Sequence, residues 1–333
     1  MRISPAQQTT GEQVPPSPRA LPKRSLLADA VSRYSMVGVL VLLVIVAQSA
    51  FPGFLSPGNL KVVLLNTAPV GLVAIGMTFV LIGGGFDLSV GGIFAFSGML
   101  YASLANSMPV IVAFALMIPA AIAMGAINGL VITRLHVNPF VATLGSSSIF
   151  SGLAYLINSD GAITVTSSSF TYLENANWAG IPAMIWILAL CFVAGGVVLA
   201  RTVYGRSVYI VGGNADAARL SGMRVSIIQG STYALSALGA ALGGMLLASQ
   251  TGVGQANVGV DVTLDSIAIV IIGGTSLRGG QGAMWRTLVG LLIISTIDSL
   301  FNSLAWNSAT QSLVKGAIII VAVALDAWSQ RRG

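Results

Sequence analysis

Asp87 is the acid most plainly lodged in a break of an apolar run, within Gly83-Gly84-Gly85-Phe86-Asp87-Leu88-Ser89-Val90-Gly91-Gly92. An ionisable side chain at membrane depth is costly and marks either a functional site or a paired structural one. Two roles stay open for it: a charge in a translocation path or gate, or a cap that accepts from the Ser89 or Val90 amide where a helix begins. A second interruption, Gly273-Gly274-Thr275-Ser276-Leu277-Arg278-Gly279-Gly280-Gln281-Gly282, repeats the plan of paired glycines, a Ser near a Leu, and paired glycines again. In lipid, non-helical backbone persists only where protein buries it or where it lines a wet cavity. Breaks in matching places of two halves therefore point to a transport path or its gate. Asp87, Ser89, Thr275 and Ser276 are path candidates on that ground. Asn128, Asn138, Phe140 and Thr143 join them from the fourth and fifth apolar segments, where Ser146, Ser147, Ser148 and Ser151 add further polar groups. These groups either line a hydrophilic route for a polyol or bond neighbouring helix carbonyls.

Arg201 to Arg224 is the one long charged interior stretch. Its second half has the marks of a short helix. Asn214 can cap the N-terminus, Asp216 sits in the first turn, Arg219 lies near the other end, and Gly222 can take the left-handed terminating conformation. A helix so short is not stable alone, so it must lie on its own membrane domain or on a partner. It is either a capped turn between two spans or a docking knob through which a soluble motor moves the membrane part.

Other chemistry is sparse. There is no G-x-x-x-x-G-K-[ST] phosphate loop, no H-E-x-x-H and no G-x-S-x-G. Cys191 is the only cysteine and reads as a small buried hydrophobe, and the only histidine, His136, lies beside Arg134 at a span end. A membrane enzyme acting on lipid-linked sugars would need paired carboxylates or a metal motif, and the long polar loop offers only Asp160 and Glu174. An ion-coupled carrier would need a relay of buried acids and bases, and Asp87 is nearly alone. What remains is a conduit that needs an external energy source.

The elements that position these residues follow from composition. The 333 residues are 55% hydrophobic and only 8% charged, where a soluble chain carries roughly a quarter charged residues. The expected fold is an all-α, polytopic transmembrane bundle in contact with membrane lipids. The formal charge of +6 sits at span ends and in the tail, so topology explains it and a nucleic-acid partner is not expected. Residues 1–33, rich in Pro, Gln, Ser and Thr, read as a disordered cytoplasmic tail without a cleaved signal. Residues 34–328 form the permease domain, with the charged loop at 201–224, and 329–333 a short cytoplasmic tail. At about 20 apolar residues per span, about ten spans are expected. They fall near 34–50, 60–82, 88–105, 110–133, 139–157, 181–200, 225–249, 264–274, 284–304 and 311–328. The eighth is too short to cross unaided, and 273–282 reads as a possible re-entrant stretch. An even count places both termini together, and the positive-inside rule places them in the cytoplasm. Asp265, Asp298 and Asp326 then lie near span ends, where hydration makes them cheap. Trp178 and Trp328 suit an aromatic belt, and Gly125 to Gly129 and Gly239 to Gly243 suit close helix packing within one subunit.

Four blocks, IGMTFVLIGGGFDLSVGG, INGLVITRLHVNPFVATLG, YGRSVYIVGGNADAARLSGM and LDSIAIVIIGGTSLRGGQG, in order from residue 75 to residue 282, closely resemble the ribose/xylose/arabinose-type permease subunits of bacterial ABC sugar importers. The resemblance extends over about residues 36 to 326. Phe86 stands where many relatives carry Ile, and Arg278 where they often carry a small residue. The resemblance implies a non-enzymatic half-transporter of the bacterial inner membrane, paired with a second copy or a paralogue. Two cytoplasmic ATP-binding cassette subunits would hold ATP and Mg, with no cofactor on this chain, and a periplasmic binding protein would deliver a sugar. It also implies that Gly213, Asn214, Ala217, Ala218, Arg219, Leu220, Ser221 and Gly222 form the coupling helix seated in the ATPase.

Overall fold

Helix starts in this chain are written locally. Ser56, Asn138, Thr202 and Asn214 each offer a side-chain oxygen to an amide two or three residues on, and Pro57 and Pro139 occupy the first helical position after two of them. The structure, a computed structural model, describes residues 26–332. Thirteen helices are described: α1 (Leu26–Ala50), α2 (Pro57–Ile82), α3 (Val90–Ala105), α4 (Val110–Arg134), α5 (Pro139–Ile157), α6 (Tyr172–Asn175), α7 (Ala183–Arg201), α8 (Val203–Gly213), α9 (Ala215–Leu220), α10 (Val225–Thr251), α11 (Gly259–Ile272), α12 (Met284–Ser303) and α13 (Ser308–Arg332). Four short strands sit in the connections: β1 (Ala162–Thr164) pairs antiparallel with β4 (Val253–Gln255), and β2 (Asn177–Trp178) with β3 (Ile181–Pro182). Residues 1–35 and 36–333 are separate units, and all packing described below lies within the second.

Each apolar segment expected to span is a helix, and the chain is a polytopic helical membrane protein. Among the described residues α2, α4, α5, α7, α10 and α12 are long and apolar enough to cross a bilayer by themselves. α3 is shorter, and α11, at 14 residues, reaches only about 21 Å against the ~30 Å of a hydrocarbon core.

The centre is built on α10. A Cβ at Gly125 or Gly129 of α4 would overlap the backbone of α10 at Tyr233 or Gly230, and one at Gly239 or Gly243 of α10 would overlap the α2 carbonyls of Leu72 or Pro69. Both small-residue faces thus let backbones touch inside one subunit, as their spacing predicts. Tyr233, Ala237, Ala240 and Ala241 of α10 are fully buried with Met77 and Leu81 of α2. Leu116 and Leu130 on α4, Leu156 on α5 and Leu190 on α7 remain exposed, which leaves these apolar faces for lipid or a partner chain. Buried hydroxyl pairs, Thr78 with Thr287 and Thr67 with Ser295, both at 2.8 Å, tie α2 to α12.

Several boundaries differ from the sequence expectation. The tail expected to be disordered through residue 33 lies outside the described residues only as far as 25. Helix α1 begins at Leu26, where Leu26, Leu27, Ala28 and Ala30 favour helix and run on into the apolar segment. At the other end α13 continues to Arg332, so 329–332 are helical. The side chains of Asp326 and Trp328 lie outside those described. The eighth apolar segment starts at Gly259 and not near Leu264, because Gly259 seats the first turn of α11 directly on the backbone of Gly91. The charged loop contains two helices, α8 and α9, where one was expected.

Candidate functional site

Between α2 and α3 the chain leaves helical geometry at Gly83 and regains it at Val90. Asp87, fully buried, stands in that gap. Its Oδ1 accepts from the Ser89 amide at 2.9 Å and from the Ser89 hydroxyl at 2.5 Å. That is the bonding of a cap, but it occupies one oxygen only. Oδ2 makes no hydrogen bond of good geometry, but the buried Ser236 hydroxyl stands within its reach and the buried Tyr233 hydroxyl lies near the Phe86 backbone. Tyr233 presses so close that a Cβ on Gly85 would stand 2.6 Å from its hydroxyl oxygen.

From Ser89 the polar chain continues outward along two more helices. Asn128 Nδ2 of α4 donates to Ser89 Oγ at 2.8 Å, and Ser146 Oγ of α5 donates to Asn128 Oδ1 at 2.5 Å. Thr143 Oγ1 accepts from the Leu88 amide at 3.0 Å while donating to the Pro139 carbonyl. Phe140, half exposed, stacks on Phe86 with ring centroids 6.3 Å apart. The structure therefore gathers Asp87, Ser89, Asn128, Thr143 and Phe140 around one break. Asn138 stands beside them as the cap of α5, exposed. Thr275 and Ser276 lie in the other break. Thr275 is buried with its hydroxyl unpartnered, and Ser276 Oγ accepts from the Arg278 amide at 3.2 Å.

On the charged loop, α9 has the expected ends. Asn214 Oδ1 accepts from the Ala217 amide at 2.9 Å, and Gly222 takes φ +81° just past the helix. Ala218 is buried with Val211 and Val225 in a small apolar cluster that fixes the knob to α8 and α10. Arg219 and Asp216 make an exposed pair at 3.2 Å, of a kind that adds little stability. Leu220 projects 90% exposed. The anchored helix thus presents a bare leucine at its tip.

α8, which spacing did not reveal, connects this knob to both breaks. A Cβ at Gly212 would overlap the Ile82 carbonyl oxygen and stand 2.8 Å from the Gly280 amide nitrogen. That same Gly280 amide donates to Ile82 at 2.8 Å, and a Cβ on Gly279 would lie 2.7 Å from the Cα of Gly84. Three backbones thus meet at one point: the end of α2, the end of α8, and the segment between α11 and α12. Tyr209 of α8 adds a bond to the Gly282 carbonyl at 2.9 Å, and the Tyr204 and Ser231 hydroxyls join α8 to α10 at 2.8 Å. Burial raises the pKa of both phenols, moderated by the Ser231 bond at Tyr204 and by the Arg286 charge near Tyr209, so both keep their protons. Farther along the two breaks, the short helices that flank them meet as well, Gly91 of α3 against Gly259 of α11.

Sequence position also misjudged two acids. Asp265 and Asp298, expected as hydrated span-end residues, pair with Lys315 at 3.1 and 2.9 Å, with side chains only 14%, 32% and 21% exposed in that order. The signal was there in Lys315, a lone cation in an apolar run, but its partners lie on two other helices.

With this geometry in view, the chain compares as follows. Residues 59–323 match the family described as branched-chain amino acid transport system / permease component. The chain is similar to the ribose import permease protein of Bacillus subtilis (strain 168), 39% identical over 86% of this chain and 90% of that protein. It is also similar to the L-arabinose transport system permease protein of Escherichia coli (strain K12), 34% identical over 90% of this chain and 92% of the other. The ribose import permease protein of Haemophilus influenzae is 33% identical over 89% and 93%. No solved structure matches. Members of such a family are transport subunits and not enzymes. Matched over most of its length, and with two glycine breaks joined to an anchored knob, the chain belongs to the branched-chain amino acid transport system / permease component family.

Proposed function

We propose that this chain is the membrane permease subunit of an ATP-driven importer that passes a sugar, a pentose, hexose or related polyol, from a periplasmic binding protein into the cytoplasm. The single observation behind the mechanism is the three-way glycine contact of Gly84, Gly212 and Gly279. In this reading the chain makes about ten passes of the inner membrane with both termini cytoplasmic. A cytoplasmic ATPase, which holds the ATP and Mg, grips α9 by Asn214 to Gly222 and above all by Leu220. When the ATPase subunits close, they push α9, and α8 moves with it through the Ala218 cluster. Displacing Gly212 then shifts the end of α2 and the segment after α11 together, and the polar set around Asp87 and Asn128 opens or closes with them.

The sugar is supported by the relatives, which are named for ribose and L-arabinose transport. A second permease copy is supported by α5, where Gly145 and Gly152 have no atom within contact reach and Ser148 between them is exposed. Residues at this spacing share one helix face and allow close approach. The test is copurification from membranes that hold the whole system. The unaltered chain is expected to retain an ATPase in near-equal number, and Leu220→Asp to lose it while still inserting. Equal retention by both would overturn the docking role.

A further inference from the structure

Three apolar helices, α2, α11 and α12, border a partly open cavity of about 290 Å³ whose polar wall the transport path described so far does not use. Asn59 and Asn66 of α2 line it, with Asp265 of α11 and Asp298, Ser299 and Asn302 of α12. On α12 the polar positions fall three and four residues apart, so they form one stripe along an otherwise apolar helix. Its size sits at the lower edge of small-ligand pockets, about 300 Å³, room for one small solute. The cavity lies where α2 begins and α12 ends, whereas the glycine junction lies at the other end of α2. From Asn66 to Gly83 is about 25 Å along the helix.

The wall has a particular chemistry. Lys315 hydrogen-bonds Asp265 through Oδ2 and forms an ion pair with Asp298 through Oδ1, but does not itself line the cavity. Each carboxylate keeps a second oxygen, able to accept from a hydroxyl. The asparagines supply both donors and acceptors. Val62, Val63, Ile269 and Leu291 give the rest of the surface an apolar side. Two carboxylates against one ammonium leave one net negative charge, which disfavours an anionic solute. The ammonium already fills the place a metal cation would take between the carboxylates.

We infer that this cavity is an entry site for a neutral polyhydroxylated solute, holding the sugar on the far side of the subunit before the break at Asp87 opens. The inference rests on the sugar-permease reading. Adjacent hydroxyls engage Asp265, Asp298 and Asn302, and the C–H face of the ring lies on Ile269 and Leu291. Lys315 fixes the carboxylates in place without binding the solute.

The experiment uses the complete transporter in proteoliposomes, with ATPase, binding protein and a panel of pentoses, hexoses and polyols. A Ser299→Cys variant in a Cys191→Ser background is treated with a small methanethiosulfonate. The transported sugar is expected to slow modification of the introduced thiol severalfold, and a sugar that is not transported to leave it unchanged. Ser299→Leu, which narrows the cavity without touching the ion triad, is expected to lower uptake about tenfold while the ATPase still copurifies with it. Modification at the same rate with and without the transported sugar, or wild-type uptake by Ser299→Leu, overturns the entry site while leaving the permease reading intact. An assembled wild-type transporter that moves none of the panel overturns the sugar reading and this site with it.

Discussion

Asp87 commits one carboxylate oxygen to Ser89 and leaves the other buried beside the Ser236 hydroxyl, outside the cap, so capping explains only half of it. Asn at this position keeps the acceptor that Ser89 needs and sets an amide group among the Ser236 and Tyr233 hydroxyls, which can accept from it. Asp87→Asn is therefore expected to unfold within about 1 kcal/mol of wild type, and Asp87→Leu, which strands the Ser89 amide and hydroxyl, to lose about 1–3 kcal/mol. Chemical unfolding in detergent checks both. Uptake by the stable Asn variant then separates geometry from charge: retained transport assigns Asp87 to holding the break, and lost transport assigns it to gating. On the knob, Asn214→Ala removes the bond to the Ala217 amide and costs about 1 kcal/mol of local helix stability. Faster amide exchange confined to α9 is the expected signature.

At the scale of elements, α8 acts as a strut between α9 and the two breaks, and its glycines are there for contact. Gly212→Ala drives a methyl into the Ile82 carbonyl and is expected to abolish uptake. The neighbouring Gly213, expected on the coupling helix but placed at the end of α8 and off the α9 knob, is exposed with no atom nearer than 3.9 Å, so Gly213→Ala should leave uptake within about twofold of wild type. Comparing the two by transport per inserted molecule decides whether close approach or glycine content matters. The same glycines explain what was legible beforehand. The ten apolar segments, the cap at Asn214 and both glycine breaks follow from local rules, because hydropathy and capping act within a few residues; the cap at Asn138 follows the same rule, but the sequence reading takes that residue only as a polar group. α8 was hidden, since Gly205, Gly212 and Gly213 in a charged loop look like chain breakers when two of them mark packing against Leu199 and Ile82. The clustering of Asp87, Asn128 and Ser146 was legible as polar residues but not as one network. Their meeting depends on how α3, α4 and α5 pack.

For the whole molecule, the Lys315 triad links α13 to α11 and α12 across long stretches of sequence. Lys315→Met leaves two largely buried carboxylates without a counter-charge and is expected to destabilise by about 3 kcal/mol. Pairing it with Asp265→Asn and Asp298→Asn should recover most of that loss, as read from thermal unfolding in detergent. If α5 faces a second copy, Gly152→Cys in a Cys191→Ser background is expected to form an oxidant-dependent dimer in membranes, while a cysteine at Leu190, on the exposed face of α7, should not. The absence of crosslinking at both sites would move the pairing surface off α5.

The contact of Gly84, Gly212 and Gly279 sets a rule of timing for such a machine. Main chains that touch with no side chain between them leave nothing compressible to absorb a stroke, so neither hinge has slack of its own. If the proposed coupling holds, a permease geared this way moves its two breaks in step, and solute should not slip past them between power strokes.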